Sequence, residues 1–382
     1  MYAHDWLVGR RGGELVLDRI VQQFGPAPLY TLVTNRRPLT EAIDSCDVRP
    51  SWLQRLPGAT GALRRWMLPL MPAAVGSLEV APCDLVISTS SAVMKSIRPP
   101  AHVPHLCYCH SPARYFWEQT DDYRAGSGGR LRAMGLNAWR PWFQRWDRRT
   151  AGRVTRFLAN SRHTAARIQR AYGREAAVVH PPVRTDYFTV DPSVTRESWY
   201  LVVAALEPYK RTHLVVEAAN RHGFSLKVVG TGSQEAALRQ LAGPTVEMLG
   251  GVSDEEVLNL YRRARALIFP QQEDFGIVPV EAQAAGCPVI AFRGGGALDT
   301  VTEATGSFFT APEPDAIRDA VRSFESRQFR SDACRVNAER FSEAAFDRAL
   351  AWHVRDLLRN HAEHPNRSSN GSAATPRSGC EE

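Results

Sequence analysis

Two glutamates eight residues apart, Glu273 and Glu281, stand out as groups suited to a ligand rich in hydroxyls. They lie in ALIFPQQEDFGIVPVEAQAAGCPVIAF, residues 266–292. The apolar runs 266–269 and 288–292 read as short buried strands, and the segment between them as a helix over 277–285. Pro279 is tolerated in the first turn, and Gly286 followed by Cys287 and Pro288 supplies the stop. Glu273 then occupies the loop after a strand, and Glu281 the helix face shared with Ile277. Between them fall the backbone amides of Phe275, Gly276 and Ile277. A helix start at the carboxyl end of a parallel strand attracts anions, and Gly276 lets a ligand approach the backbone. Carboxylates beside such a site would repel phosphate if they faced it, so hydroxyls are their expected targets. A nucleotide-sugar carries both kinds of group. The plain alternative is an acid near a helix start and a solvated helix-face glutamate, a common pairing.

Further polar residues recur at strand exits. Gly12 and Gly13, between a first strand and a helix over 14–24, allow close backbone approach to a phosphate or sugar, or simply make a turn. His110 follows a strand over 103–109 and precedes Pro112, a placement at a cleft rather than on a helix face, although imidazoles also satisfy buried hydrogen bonds. Lys210 and Arg211 stand where a strand over 200–205 meets a helix over 212–221. The ammonium suits a diphosphate as a point charge, with the guanidinium as a bidentate partner. Gly230, in the turn Gly230-Thr231-Gly232, and Gly250 follow two more strands, a pattern that any Rossmann-like unit shows.

These segments together resemble the family-4 glycosyltransferases of the GT-B fold, whose signature is a glutamate, seven residues and a second glutamate in a context like EDFGIVPVEAQAAGCPVIA. The resemblance extends to RGGE at 11–14, CYCHSPARYFW at 107–117, RFLANSRHTAARI at 156–168, VVHPPVRTDYF at 178–188 and LEPYKR at 206–211. Within the family it leans to bacterial enzymes that build surface polysaccharides, often with mannose. The resemblance implies an α/β architecture of two facing Rossmann-like domains, 1–190 on the acceptor side and 191–343 on the nucleotide-sugar side, a helix over 344–362 crossing back, and a disordered tail over 363–382. It implies retention of anomeric configuration without a metal or other cofactor. By the same resemblance His110 contacts the transferred sugar, Glu273 orients it, and Glu281 holds the ribose. Lys210 and Arg211 hold the diphosphate, Gly12 and Gly13 face it across the cleft, and Gly250 lies near the base. GDP-mannose is the first expected donor, and the acceptor is a saccharide or a polyprenyl-linked sugar. Two departures matter. Many members carry an arginine five residues before the lysine, where this chain has Ala205. Members also usually begin several residues before the first His-Asp-Trp, so a clipped or misassigned start is expected.

Composition agrees. At 382 residues the chain suits two domains, each with its own core. Its net charge of +7 rests almost wholly on arginine, since Lys95, Lys210 and Lys227 are its three lysines, and favours acidic partners. Seven cysteines without a secretory signal suit a reducing cytoplasm, and Cys107 and Cys109 read as buried thiols rather than a zinc pair. No run of 18 apolar residues exists, so membrane contact would be peripheral, on the inner face. Two surfaces are candidates: a helical region over 51–78 with Leu63, Trp66, Met67, Leu70 and Met71, and a helix where Trp139, Trp142, Phe143 and Trp146 alternate with Arg132, Arg140, Arg145, Arg148 and Arg149. Rings and guanidiniums suit an anionic lipid surface, and the same rings equally suit a domain core. The acids Asp121 and Asp122 are adjacent rather than spaced as a DxD metal pair, in a loop that the sequence does not place near the donor.

Three other functions compete. An epimerase of the same architecture would convert a free donor without an acceptor. A nicotinamide dehydrogenase needs GxGxxG after the first strand, which RRGGELV lacks. A basic RNA-binding protein would show binding that weakens steeply with salt, and no nucleic-acid motif accompanies the charge.

Overall fold

A computed structural model describes residues 1–9, 12–117 and 129–363; the expected tail beyond 363 and the Asp121-Asp122 pair lie outside these residues. Seven parallel strands form a first sheet: β1 (Tyr2–Leu7), β2 (Leu29–Thr34), β3 (Val48–Pro50), β4 (Val86–Ser90), β5 (His105–Cys109), β6 (Arg156–Ala159) and β7 (Ala176–Val178). Their spatial order is β3-β2-β1-β4-β5-β6-β7. Six more form a second sheet: β8 (Tyr200–Val203), β9 (Leu226–Val229), β10 (Val246–Gly250), β11 (Leu267–Phe269), β12 (Val289–Phe292) and β13 (Gly306–Phe309), in the order β10-β9-β8-β11-β12-β13. Crossovers place helices on both faces of each sheet, so the strands are buried on both sides. That is why β11 is apolar at three consecutive positions instead of alternating.

Strand order decides where ligands can sit. In the first sheet it reverses between β1 and β4, and in the second between β8 and β11; crevices open beyond the carboxyl ends of strands at such points. The chain leaving β1 enters Gly12 and Gly13. The chains leaving β8 and β11 reach Lys210 and Glu273. All these residues therefore lie at crevice mouths, and His110 follows β5 at the same edge of the first sheet.

The last helix, Glu343–Glu363, returns to the first domain. Phe346, Leu350, Val354 and Leu357 form one stripe and join the core cluster of Tyr2, Leu7, Leu106 and Tyr108. Arg19 Nε donates to Asp347 at 2.9 Å and Arg156 to Asp356 at 2.7 Å, fixing the helix at both ends. Region 51–78 is helical, as its spacing predicts, but only in short pieces. It is a chain of 3-10 turns, Trp52–Arg55, Ala62–Trp66 and Leu68–Leu70, followed by the short helix Met71–Gly76. Gly58, Gly61, Pro69 and Pro72 break the ladder at each join. Met67 and Met71 are buried, while Leu63, Trp66 and Leu70 are exposed.

Trp139, Trp142, Phe143 and Trp146 lie on the helix Gly129–Ala151. Phe143 is 1% exposed and stacks on Phe116, and Trp139 and Trp146 pack against the same core. Trp142 is 49% exposed, stacked on Trp139 with ring centroids 4.9 Å apart. The stripe is thus chiefly core, with one ring at its border. No helix among the described residues is long and apolar enough to cross a membrane.

Candidate active site

The second-domain half is built on two loops. Beyond β8, the turn Pro208–Lys210 ends in Arg211, whose left-handed φ of 55° turns the chain into the helix Thr212–His222. Lys210 Nζ forms an ion pair with Glu273 Oε1, and Gln271 Nε2 donates to the same oxygen at 3.2 Å. The two expected donor residues therefore meet each other, 63 positions apart in sequence. Arg211 lies over the Phe292 ring at 5.5 Å. Beyond Glu273 the chain is fixed from behind: Gly296 N donates to the Glu273 carbonyl at 2.8 Å, and a Cβ at Gly295 or Gly296 would collide with the backbone of residues 273–275.

Gly276 caps the helix Ile277–Ala284 with φ 85° and ψ 88°, and no side chain accepts a hydrogen bond from the first turn. A Cβ there would stand 3.0 Å from Phe269 Cζ, so both conformation and space demand glycine. The uncapped start leaves backbone donors and the positive end of the helix dipole facing the crevice. Phe275 itself is buried, its ring 5.5 Å from His180 and 5.7 Å from Phe341, so only its backbone can serve a ligand.

Glu281 sits one turn into this helix. Burial, the largest influence, pushes its carboxyl up to about 7; Arg184, itself paired with Asp254 at 2.8 Å, draws it down, Asp254 raises it, and Tyr261 Oη, 3.5 Å away, lowers it.

The first-domain half faces this helix start. Gly12 opens the helix Gly12–Phe24, and its Cβ direction points to Ile277 Cδ1 at 3.4 Å. Gly13 lies 3.5 Å from both His110 Nε2 and His4 Cε1 on the same measure. His110 is anchored by its backbone, its N–H donating to the Ser90 carbonyl at 2.8 Å and its carbonyl accepting from Asn160 Nδ2 at 3.1 Å. Its Nε2 is buried without a hydrogen-bond partner among the described residues. Burial first, then nearby His4, lowers the imidazole to about 4 against the opposing pull of Asp5, Glu14 and Asp274. At neutral pH it is an uncharged ring able to exchange hydrogen bonds with a hydroxyl.

The domains are joined through residues to which the sequence assigned no role. Asp274, between Glu273 and Phe275, accepts from Arg114 and Arg167 of the first domain, and its carbonyl accepts from Ser161 Oγ. Arg162 N–H donates to Asp299 at 2.7 Å. Asp274 stood inside the motif, and Arg114 four residues after His110, but their pairing has no local sequence signal.

Gly230 and Gly250 are a different case. Gly230 has φ 134°, its N–H donates to the Gly250 carbonyl at 2.7 Å, and a Cβ there would collide with the backbone of Ala204. The fold demands this glycine whatever the ligand, so its presence does not argue for donor contact. Cys107 and Cys109 are buried free thiols, consistent with the sequence reading.

Comparisons with known proteins follow the same division. The family model described as Glycosyltransferase Family 4 matches residues 17–187, and that described as Glycosyl transferases group 1 matches residues 183–348. The human alpha-1,3/1,6-mannosyltransferase ALG2 is 28% identical over 164 residues, 40% of this chain and 38% of its own length. A GDP-mannose-dependent monoacylated alpha-(1-6)-phosphatidylinositol monomannoside mannosyltransferase of Corynebacterium glutamicum is 32% identical over 187 residues, 41% of this chain and 49% of its own. The aligned stretch thus spans less than half of each of these relatives. The crystal structure of Anabaena HepE in complex with UDP superposes with a TM-score of 0.65 at 16% identity, covering 93% of this chain and 99% of that one, and shares the fold. The two family models overlap at residues 183–187 and together run from residue 17 to 348, across both domains and the cleft between them, and the chain accordingly belongs to the family-4 glycosyltransferases of the GT-B fold.

Proposed function

We propose that this chain transfers a hexose, with mannose as the first candidate, from a nucleotide-diphosphate sugar to a saccharide or polyprenyl-linked acceptor, with retention of anomeric configuration, in the assembly of a cell-surface polysaccharide. The observation that carries this reading is the Lys210–Glu273 pair beside the uncapped start of Ile277–Ala284, facing the unpartnered Nε2 of His110 across the cleft. Cation and helix dipole suit the diphosphate; Glu273 and His110 suit sugar hydroxyls. The mannosyltransferase relatives favour GDP-mannose, whereas UDP in the Anabaena complex keeps a uridine donor in the comparison.

As the glycosidic bond to the donor breaks, negative charge grows on the leaving phosphate. Lys210 is already oriented by Glu273 and meets that charge without reorganisation, assisted by Arg211 and the helix start. Glu273 and His110 hold the sugar so that its anomeric carbon faces the acceptor. Glu281 accepts hydrogen bonds from the ribose. Matched families of glycosyl transferases favour transfer over the epimerase reading. Contact with the membrane, where the acceptor is lipid-linked, is peripheral in this proposal.

A donor panel read by thermal shift tests it. A nucleotide-sugar at 100 times its Kd stabilises the fold by about 2.7 kcal/mol. The expected result is a shift with one nucleotide-sugar, sugar transfer only when acceptor is present, a product that keeps the donor's anomeric configuration, and activity unaffected by EDTA. No shift with any nucleotide-sugar would refute the reading.

A further inference from the structure

The donor-side helix start has more negative charge around it than its own domain offsets. Glu273 and Asp274 are consecutive, Lys210 must serve both Glu273 and a phosphate, and Arg211 lies over Phe292. A dianionic diphosphate placed there calls for a further cation. Two guanidiniums arrive from the first domain, Arg167 on Asp274 Oδ1 and Arg114 on Oδ2, and they are not equivalent. The Arg167 side chain is 4% exposed, whereas that of Arg114 is 33% exposed. Asp274 is buried, so it must keep one partner; Arg167 alone meets that need, and Arg114 can leave without stranding a buried charge.

We infer that Arg114 is a diphosphate-binding residue delivered across the cleft, exchanging Asp274 for a phosphate oxygen when a nucleotide-sugar occupies the start of Ile277–Ala284. The inference rests on the nucleotide-sugar reading given above. A guanidinium fork matches two phosphate oxygens, which an ammonium cannot do. Arg114 lies four residues beyond His110 on the segment leaving β5, so its engagement also draws His110 towards the sugar. Arg167 meanwhile stays on Asp274 and, with Ser161 on the Asp274 carbonyl, keeps the Glu273-to-Gly276 loop in place.

Calorimetric titration of GDP, UDP and the matching nucleosides into the wild type, Arg114→Ala, Arg114→Lys, Asp274→Asn and Lys210→Ala tests this. Loss of a charge-assisted contact predicts that Arg114→Ala weakens nucleoside diphosphate binding by about tenfold or more while nucleoside binding is unchanged. Arg114→Lys should fall between it and the wild type. Asp274→Asn, which releases Arg114 and leaves Arg167 an acceptor oxygen, should bind diphosphate at least as well as the wild type. If Arg114→Ala and Asp274→Asn weaken diphosphate and nucleoside alike, Arg114 only braces the loop and the inference is wrong. If Lys210→Ala weakens diphosphate binding and Arg114→Ala does not, the nucleotide site stands without Arg114. If the wild type binds neither nucleotide, the nucleotide-sugar reading itself fails.

Discussion

Raising the pH from 6 to 8 should tighten donor binding through Glu281. Its carboxyl lies at about 7 because burial disfavours the charged form. If ribose hydroxyls donate to it, the ionised form is the competent one. That form is about one-tenth of the molecules at pH 6 and about nine-tenths at pH 8, so the apparent Kd should fall about tenfold over the interval. The assay is calorimetry with an intact nucleotide-sugar, whose esterified diphosphate does not titrate in this range. Stability should move the other way. The folded chain keeps a proton that the unfolded chain releases near 4.5, so this group's contribution is fully present below pH 4.5 and lost as pH rises through 7, in all about 3 kcal/mol. Glu281→Gln should abolish both dependences. A flat Kd between pH 6 and 8, a Kd that rises with pH, or a slope that survives in Glu281→Gln would refute the argument.

Lys210→Ala and His110→Ala should each lower kcat by at least about tenfold in steady-state transfer assays, the first by removing charge from the leaving phosphate and the second by loosening the sugar. Phe143→Ala, at a ring 1% exposed, should cost about 3–5 kcal/mol in a denaturation series. Trp142→Ala should leave that stability nearly intact and reduce co-sedimentation with anionic vesicles; unchanged co-sedimentation removes this ring from any lipid contact. Lys95→Met strands the buried Asp147, now 2.7 Å from Lys95 Nζ, and should cost about 3–5 kcal/mol, most of it recovered when Asp147→Leu is added.

Much of the fold was legible because parallel strands buried on both faces appear as unbroken apolar runs, and the strand exits are marked by glycine, proline or a lone polar residue. The βαβ unit around Glu273 and Glu281 and the placement of His110 follow from such local patterns, whereas the return of the last helix to the first domain was implied only by the family resemblance. Region 51–78 reads as helical because its apolar positions fit a helical period, and its glycines and prolines divide that helix into short turns. The stripe Trp139, Trp142, Phe143, Trp146 could not be assigned from spacing alone, since a helix face does not reveal what covers it; Phe116 does. The sequence offers Gly230 both as a donor-site candidate and as the turn of any Rossmann-like unit, and the clash that demands a glycine there, with Ala204 on the neighbouring strand's exit, has no local sequence signal. The raised pKa of Glu281 comes from burial, with Asp254 adding to it against the opposing pull of Arg184 and Tyr261, none of which is visible from its own helix.

The two halves of the cleft also explain each other. An unpartnered buried nitrogen such as His110 Nε2 costs about 1–3 kcal/mol, and a helix start without a side-chain cap forgoes about 1 kcal/mol more. Either defect alone has an ordinary structural excuse. Here both open onto one crevice, where the switch points of two sheets face each other and Gly12 meets Ile277 across the gap. Gly12 lies at the same seam: a Cβ there would stand 3.4 Å from Ile277 Cδ1, in ordinary van der Waals contact with the opposite domain. The backbone of the loop after β1 therefore approaches the helix start closely enough for one ligand to touch both, and a side chain longer than a methyl at this position would compete with that ligand for the same space.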